Sequence, residues 1–464
     1  MKHRILTWRG AVKSFRVSLS ALVFAVGLTG CHGGGSGCFF CEPLAATLGG
    51  TLTGLVGSRL TLQNNSAPLG QFNGPAANGT GIAFGVANFN TSYDVTVGTQ
   101  PTNPSQTCVV ANGTGTISGN SDITNIAVTC TTNPPRFVYV ANGGSDNISG
   151  YTVDAASGTL AAIAGSPFAA GNLPVAIAVD PTGSYAYVAN QAEATISAFT
   201  IDRTSGALTA VGGSPFPSGP APTSAAIDPS SSFVYVTSGN AGTVAVYAIG
   251  AGGALRAVAG SPFAAGALPS SVTVSPLDDY AYVANQSDGT VSIFGINSDG
   301  SLTAASGSPV AAGTGPRAVA IDPSGQYVYV ANASSNSLSA YGTNPGPLTA
   351  LSASPYPTGN SPSSVAVDPL DNFVYVADQG SNEMSGYSLG AGGALTALAG
   401  SPFAAGGGPS AAAVDPAGNF LYVANAVSGN VSVFAIEAGT GALSAVSGSP
   451  YAAGTLPAAI AISD

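Results

Sequence analysis

The feature that most limits how this chain can fold is a hexapeptide, Phe-Val-Tyr-Val-Ala-Asn at Phe137–Asn142, which returns six more times. The copies are Tyr185–Asn190, Phe233–Ser238, Tyr280–Asn285, Tyr327–Asn332, Phe373–Asp378 and Phe420–Asn425. Their inner tyrosines, Tyr139, Tyr187, Tyr235, Tyr282, Tyr329, Tyr375 and Tyr422, follow one another at intervals of 48, 48, 47, 47, 46 and 47 residues. Short runs of β-branched and aromatic residues form strands, and self-similarity at a fixed period of this length marks a repeat architecture.

One repeat shows how the unit is built. Residues 175–180 (VAIAVD) predict a first strand, Tyr185–Asn190 a second, Thr195–Ile201 a third and residues 208–211 a fourth. Between the first two lies Asp180-Pro181-Thr182-Gly183, with related turns at Asp228, Asp322, Asp368 and Asp415 and Ser275-Pro276 as the variant. Aspartate accepts backbone hydrogen bonds at the first turn position, proline presets φ at the second and glycine suits the fourth, so these carboxylates are read as turn caps rather than as a metal-binding or catalytic ring. A lone four-stranded sheet of this size cannot bury both faces, so seven of them are expected to close radially into a seven-bladed β-propeller. The first copy lacks a first strand, and residues 458–464 (AAIAISD) supply a spare one at the other end. That spare strand is expected to complete the blade begun at Phe137.

The repeated pattern, P…IAVDP.G..vYVAN…S.(Y/F), resembles that of the YVTN-type, lactonase-like seven-bladed propellers of bacteria, over residues 136–464. The resemblance implies the propeller fold. It also implies a family that includes 6-phosphogluconolactonases and a muconate cycloisomerase, alongside exported relatives without known chemistry.

Ahead of the repeats the chain changes character. Residues 1–16 are basic, residues 17–28 (VSLSALVFAVGL) form an apolar run too short for a preferred membrane span, and Leu28-Thr29-Gly30-Cys31 closes it. This order reads as a signal peptide over residues 1–30. The four closing residues resemble a bacterial lipobox, which implies a lipidated Cys31, a membrane anchor, and an outer-membrane or cell-surface location. Residues 31–44 are a Gly-rich tether in which Cys38 and Cys41 flank two phenylalanines. A single CxxC supplies two of the four ligands of a structural zinc site and lacks a βαβ context, so it is read as a small disulfide. Residues 45–133 alternate polar and apolar stretches and are expected to form a small Ig-like β-sandwich, with Cys108 and Cys130 paired in a compartment that permits it. The expected fold class is therefore all-β, a small sandwich followed by a propeller over residues 134–464.

Charge narrows the partners. Five of the ten basic residues lie in the first sixteen positions and all 21 acidic ones follow Cys31, so a chain starting there carries 5 − 21 = −16. Such a surface repels phosphate backbones, which argues against nucleic acid and leaves an unidentified ligand, a saccharide or a protein among them.

Candidate chemistry is sparse. Beyond residue 135 there is no His, Lys, Cys or Trp, so neither a Ser-His-Asp nor a Cys-His arrangement can be assembled there. The lactonase-like enzymes depend, by resemblance, on histidine and arginine around the channel. Arg317 is the one charged residue immediately before a first strand, and so the candidate for the channel mouth, where a guanidinium can hold a carboxylate or phosphate through two N–H donors. Glu193 and Glu383, in the loops after the second strands, are weaker ligand-binding candidates. The scattered loop oxygens lack calcium-binding spacing, and no metal or cofactor is expected. A second seven-fold motif, Ser-Pro-Phe-Ala-Ala-Gly at Ser166 and its relatives, places Phe168, Phe216, Phe263, Val310, Tyr356, Phe403 and Tyr451 at equivalent positions in the blade-joining loops. These side chains either stack sugars at the mouth or wedge between blades, and Val310 fits the second role better. The expected function is an exported, lipid-anchored binding or scaffold protein without catalysis. The alternative is a lactone hydrolase or cycloisomerase working at the channel mouth.

Overall fold

The computed structural model describes residues 45–463, apart from 75–76, 103–105, 119–120, 135 and 344–347. Residues 1–44, with the expected signal peptide and Cys31, Cys38 and Cys41, lie outside the described residues. Within them the chain is all-β, relieved by short 3₁₀ turns such as Ala251–Gly253 and Ala391–Gly393.

The repeats form seven antiparallel sheets, six with their strands in sequential order and one that takes its first strand from the far end of the repeat region. In the specimen repeat, Pro174–Val179 pairs with Tyr185–Asn190, that strand with Thr195–Ile201, and that in turn with Leu208–Ala210. The second strands are nearly inaccessible throughout, because each is central in its sheet and sandwiched between two neighbouring sheets. The seven inner tyrosines are the largest wholly buried side chains. Three of them reach into the next blade, where the hydroxyls of Tyr139, Tyr187 and Tyr375 donate to the carbonyls of Gly206, Gly253 and Gly441 at 2.7, 3.0 and 2.7 Å. The aromatic that opens the hexapeptide packs on the same turn. Gly206 has φ +75°, and a Cβ there would lie 2.5 Å from the Phe137 ring. Glycine is thus needed both for its backbone conformation and for the approach of the neighbouring blade.

Closure follows the expected route. Pro457–Ser463 pairs antiparallel with Phe137–Asn142, with Ile460 opposite Val140, so blade one is built from both ends of the repeat region. Phe420 of blade seven seats on Gly158 of blade one, continuing the inter-blade contact around the ring.

The structure corrects the reading of the Ser-Pro-Phe motif. Phe168–Ala169, Phe216–Pro217, Phe263–Ala264 and their relatives are not blade-joining loop but a second segment of the fourth strand, paired with the third strand near its far end. Between the two segments the chain bulges out, and the serine of the motif fills the gap in the ladder. The hydroxyls of Ser166, Ser214, Ser261, Ser308, Ser354, Ser401 and Ser449 accept from the backbone N–H of Gly150, Ala198, Val246, Ile293, Ala340, Gly386 and Val433 at 2.8–2.9 Å. A third-strand amide that would otherwise face no carbonyl is satisfied by a side chain, which is why the motif returns in every blade. The aromatic that follows takes the wedging role and does not line the mouth: Phe168 lies beside Gly150 of its own blade in a cluster that includes Ile177 and Phe199 of blade two, and the Tyr356 hydroxyl of blade five accepts from the N–H of Leu395 in blade six at 3.2 Å.

Before the propeller, two four-stranded sheets share one core. One holds Gly79–Asn88, Ala45–Thr53, Ile123–Thr132 and Gln106–Ala111; the other holds Ala67–Phe72, Leu60–Asn64, Ser92–Thr99 and Thr114–Thr116. Leu48, Leu52, Ile126 and Val128 of the first meet Leu60, Leu62 and Val95 of the second. Cys108 and Cys130 lie opposite each other on paired strands and are joined by a disulfide. Ala45–Thr53 and Ile123–Thr132 run parallel, with Thr53 beside Thr129 and Leu48 beside Ile123. The chain therefore enters this unit at one end of the sheet and leaves toward the propeller at the other. At the leaving end the buried amide of Gln106 fastens the bend that follows the first strand. Its Oε1 accepts from the N–H groups of Val56 and Gly57 at 2.8 Å each, and its Nε2 donates to the carbonyl of Gly54 at 2.8 Å. The bend sets Ser58 against the carbonyl of Pro276 at 3.2 Å and Arg59 in an ion pair with Asp278, both on the propeller face that carries the Asp-Pro turns.

The serine bridge gives a direct test. Ser261→Ala strands the buried N–H of Val246, and the expected loss is about 1–3 kcal/mol, the cost of an unsatisfied buried donor. It is read as a lowered denaturant midpoint with an unchanged slope.

Candidate functional site

The propeller has two mouths. The lower one, toward the Asp-Pro turns, opens into a cavity of about 440 Å³. The last residues of the first strands, Val179, Ile227, Val274, Ile321, Val367, Val414 and Ile462, make an aliphatic collar there. The carboxylates of the turns are spent on capping. Asp180 Oδ1 accepts from the N–H groups of Ser184 and Tyr185 at 2.7 and 2.6 Å, and Asp415 Oδ1 from those of Asn419 and Phe420 at 2.6 and 2.7 Å. At the variant turn the hydroxyl of Ser275 accepts from Asp279 and Tyr280. Two further acids stand where other blades carry glycine at the end of the turn. Burial pushes the Asp278 carboxyl up to about 6 against the pull of Arg59, and burial beside Asp322 and Asp368 pushes Asp371 up to about 7. Among the described residues no group of three or more His, Cys, Asp or Glu is arranged to hold a metal ion.

The upper mouth bears the loops after the second strands and those between blades, and opens into a cavity of about 480 Å³. Its wall is set by two positions in each blade, the second residue of the first strand and the residue following the hexapeptide. In blades three, four, six and seven the first position is Thr223, Ser270, Ser363 or Ser410. Each hydroxyl donates to a proline carbonyl of the next blade, those of Pro269, Pro316, Pro409 and Pro457, at 2.6–2.9 Å. Blade five departs from this pattern, because Arg317 occupies the same place. Its guanidinium spans to blade six and donates to Gln379 Oε1 at 2.6 Å. The arginine is half-buried, burial works against its charge and lowers its pKa, and among the described residues it has no carboxylate partner. Gln191 and Gln286 occupy in blades two and four the place that Gln379 holds in blade six.

The other sequence candidates lie apart from this cation. Glu193 is exposed in the loop of blade two, where the hydroxyl of Thr195 reaches its Oε2 at 3.5 Å. Glu383 begins the third strand of blade six, opposite Asp378 and Ala404. Neither lines the cavity. The loop carboxylates brace backbone instead: Asp146 accepts from the N–H of Leu173 at 2.8 Å and Asp288 from that of Ala267 at 2.6 Å. The asparagines that end the second strands are wholly buried. Asn190 donates to Thr195 and Ser197 at 3.0 and 2.9 Å and accepts from the N–H of Gly171 at 3.2 Å, tying two strands and a loop together. Gln379 was not among the sequence candidates. Its signal was its place directly after a hexapeptide, one blade on from Arg317.

Blade six carries an acid, Asp378, at the asparagine position. A carboxylate has no proton to give, so the bonds run the other way, with the N–H and hydroxyl of Ser385 donating to Asp378 Oδ2 at 3.0 and 2.7 Å. Its other oxygen is buried without a partner, and burial pushes the carboxyl up to about 6. A folded pKa above the ordinary 3.8 means that stability from this group is complete below about 3.8 and is lost as pH rises through about 6. Asp378→Asn restores the donor that five other blades use and removes the buried charge. The expected result is a gain of about 1–3 kcal/mol at pH 8 and little change at pH 4.5, measured by urea unfolding at both.

Comparison with known proteins places this geometry. The model of the family described as lactonase, 7-bladed beta-propeller, matches residues 93–226, 216–311 and 297–456, well over half of the chain. No curated protein matches. Among solved structures, a putative 6-phosphogluconolactonase from Bacteroides uniformis is similar with 18% identity and a TM-score of 0.64, over 71% of this chain and 100% of that one. The periplasmic gluconolactonase of Pseudomonas aeruginosa follows with 20% identity and a TM-score of 0.61, over 71% and 99%. A protein from Lactobacillus plantarum shares 21% identity with a TM-score of 0.61, over 72% and 100%. At these identities the structures speak for the fold alone, whereas the family match runs through every blade: the chain belongs to the seven-bladed β-propeller lactonase family.

Proposed function

We propose that this chain is an envelope-anchored binding propeller that holds a small organic anion in its upper mouth, with the two-sheet unit as an in-line spacer. The observation that carries the reading is Arg317. It is a half-buried guanidinium facing a cavity, steadied by Gln379 and lacking a carboxylate partner among the described residues. Such a cation in an otherwise acidic chain is complemented by an anionic ligand, which a guanidinium binds bidentately. The spacer role is supported by the parallel pairing of Ala45–Thr53 with Ile123–Thr132, which puts the entry and the propeller at opposite ends of a sheet about 30 Å long. Ser58 and Arg59 meet the lower face of the propeller. A lipid anchor at Cys31 would then leave the upper mouth directed away from the membrane.

Lactone hydrolysis is the second reading, favoured by the family and by two structural neighbours described as a putative 6-phosphogluconolactonase and a gluconolactonase. It needs a proton-moving group near neutral pH; histidine is absent beyond His32, and Asp378, whose carboxyl burial pushes up to about 6, is wholly buried and does not line the cavity.

Two measurements test the proposal. A thermal-shift series of small carboxylates and phosphates against neutral analogues is expected to show stabilisation by anions alone, falling at least tenfold in apparent affinity in Arg317→Ala. Turnover of 6-phosphogluconolactone or aliphatic lactones well above the buffer rate, lost in that variant, would establish hydrolysis instead. For the anchor, mass spectrometry of the membrane fraction is expected to find a diacylated or triacylated Cys31 as the first residue. An unmodified N-terminus elsewhere overturns it.

A further inference from the structure

The wall of the upper mouth is divided. Blades four to six present Gln286, Arg317 and Gln379, with Leu268 the one large apolar side chain among them. Across the ring, blades one and two present Ala458 and Val175 where other blades carry a hydroxyl or Arg317, together with Leu456 and Leu173 from the preceding turns. The side chains of both leucines lie against the glycine pair Gly143 and Gly144, so this arc is mainly aliphatic, with Gln191 of blade two as its one side-chain amide at the wall.

The leucines sit in an unusual backbone conformation. Leu173 and Leu456 have φ of 54° and 50°, as has Leu268 at 53°, in the left-handed region that costs most residues energy and glycine little. Gly315 and Gly408 hold the equivalent place before the first strands of blades five and seven, each at φ 65°, and Ala221 and Ser361 hold it in blades three and six at φ 51° and 52°, so chain geometry alone asks for no leucine there. Packing within the protein covers only part of the side chain, since Leu456 rests beside Gly144 yet is 53% exposed. A strained apolar residue left uncovered at a cavity rim points to a use at that cavity.

We propose that the anion held at Arg317 and Gln379 is an amphiphile, a carboxylate whose unbranched hydrocarbon portion lies across the mouth on Leu173, Leu456, Val175 and Ala458. The inference rests on the anion-binding reading above and names its ligand class. A polyhydroxy acid spanning the same mouth sets several hydroxyls against an arc where Gln191 is the one hydrogen-bonding side chain, and a buried hydroxyl without a partner is costly. A hydrocarbon chain gains from leaving water along the same path.

The test is isothermal titration of the full-length chain in lipid nanodiscs, with empty discs as blank, using acetate, gluconate, hexanoate, octanoate and neutral 1-octanol. The expected result is affinity rising from acetate to octanoate, with octanoate at least tenfold tighter than gluconate and than 1-octanol. The double variant Leu173→Gly/Leu456→Gly, which relieves backbone strain and so keeps the fold, is expected to weaken octanoate at least tenfold more than it weakens acetate. Octanoate no tighter than gluconate, with gluconate binding still lost in Arg317→Ala, overturns the amphiphile and leaves the anion reading standing. An equal effect of the leucine variant on octanoate and acetate likewise overturns it. The absence of any Arg317-dependent carboxylate binding overturns both.

Discussion

Every blade of this propeller has two apolar faces, and only a neighbour on each side can bury both. The second strand carries the constraint most fully, being central in its sheet and covered on both sides, and its tyrosine is wholly buried in all seven blades. A ring satisfies such a requirement without an exposed end, provided that its first and last blades meet. Here they meet by sharing a sheet, with Pro457–Ser463 laid along Phe137–Asn142. Antiparallel backbone bonds close the circle, and the contact of Phe420 with Gly158 repeats the packing found between consecutive blades.

Once the ring is closed, the polar groups of each blade are satisfied by a small set of side chains with fixed tasks. Asparagine ties the second and third strands to a loop, aspartate caps the first turn, and serine replaces a missing carbonyl beside the third strand. These residues are polar for structural reasons, and their seven-fold recurrence carries no information about a ligand. The informative positions are those where one blade breaks the pattern, as a charge or an apolar residue placed where a hydroxyl would serve the fold. Arg317 in blade five and Asp378 in blade six are two such breaks, and they stand on either side of Gln379, the first through a hydrogen bond and the second as its chain neighbour. Val175 and Ala458, apolar where four blades place a hydroxyl, form a third, on the opposite side of the same mouth.

The two-sheet unit bears on function through direction. A parallel pair in the middle of its first sheet separates entry from exit, and Gln106 fixes the bend that touches the propeller. A hairpin arrangement with both ends on one side would have folded the propeller back toward whatever holds the N-terminus. The lower mouth, with its aliphatic collar and capped carboxylates, lies on the side the two-sheet unit contacts, whereas the cation lies on the other.

The sequence by itself determined the number of blades, the second and third strands to the residue in the specimen repeat, the capping aspartates and the closing strand. These follow from local periodicity and turn chemistry repeated seven times, so an error in one copy is corrected by the others. It also singled out Arg317, because a charge in front of a first strand is visible once the repeats are aligned. The serine bridge was hidden, since its partner amide lies 14 to 16 residues away on another strand and nothing in the motif names it. Tertiary structure alone decided that Gln379, 62 residues beyond Arg317, receives the guanidinium, and that Glu193 and Glu383 stand outside the cavity. It alone decided that leucines from opposite ends of the repeat region meet over Gly143 and Gly144. Those meetings depend on the curvature of a closed ring, which joins residues by their place around an axis rather than by their order in the chain.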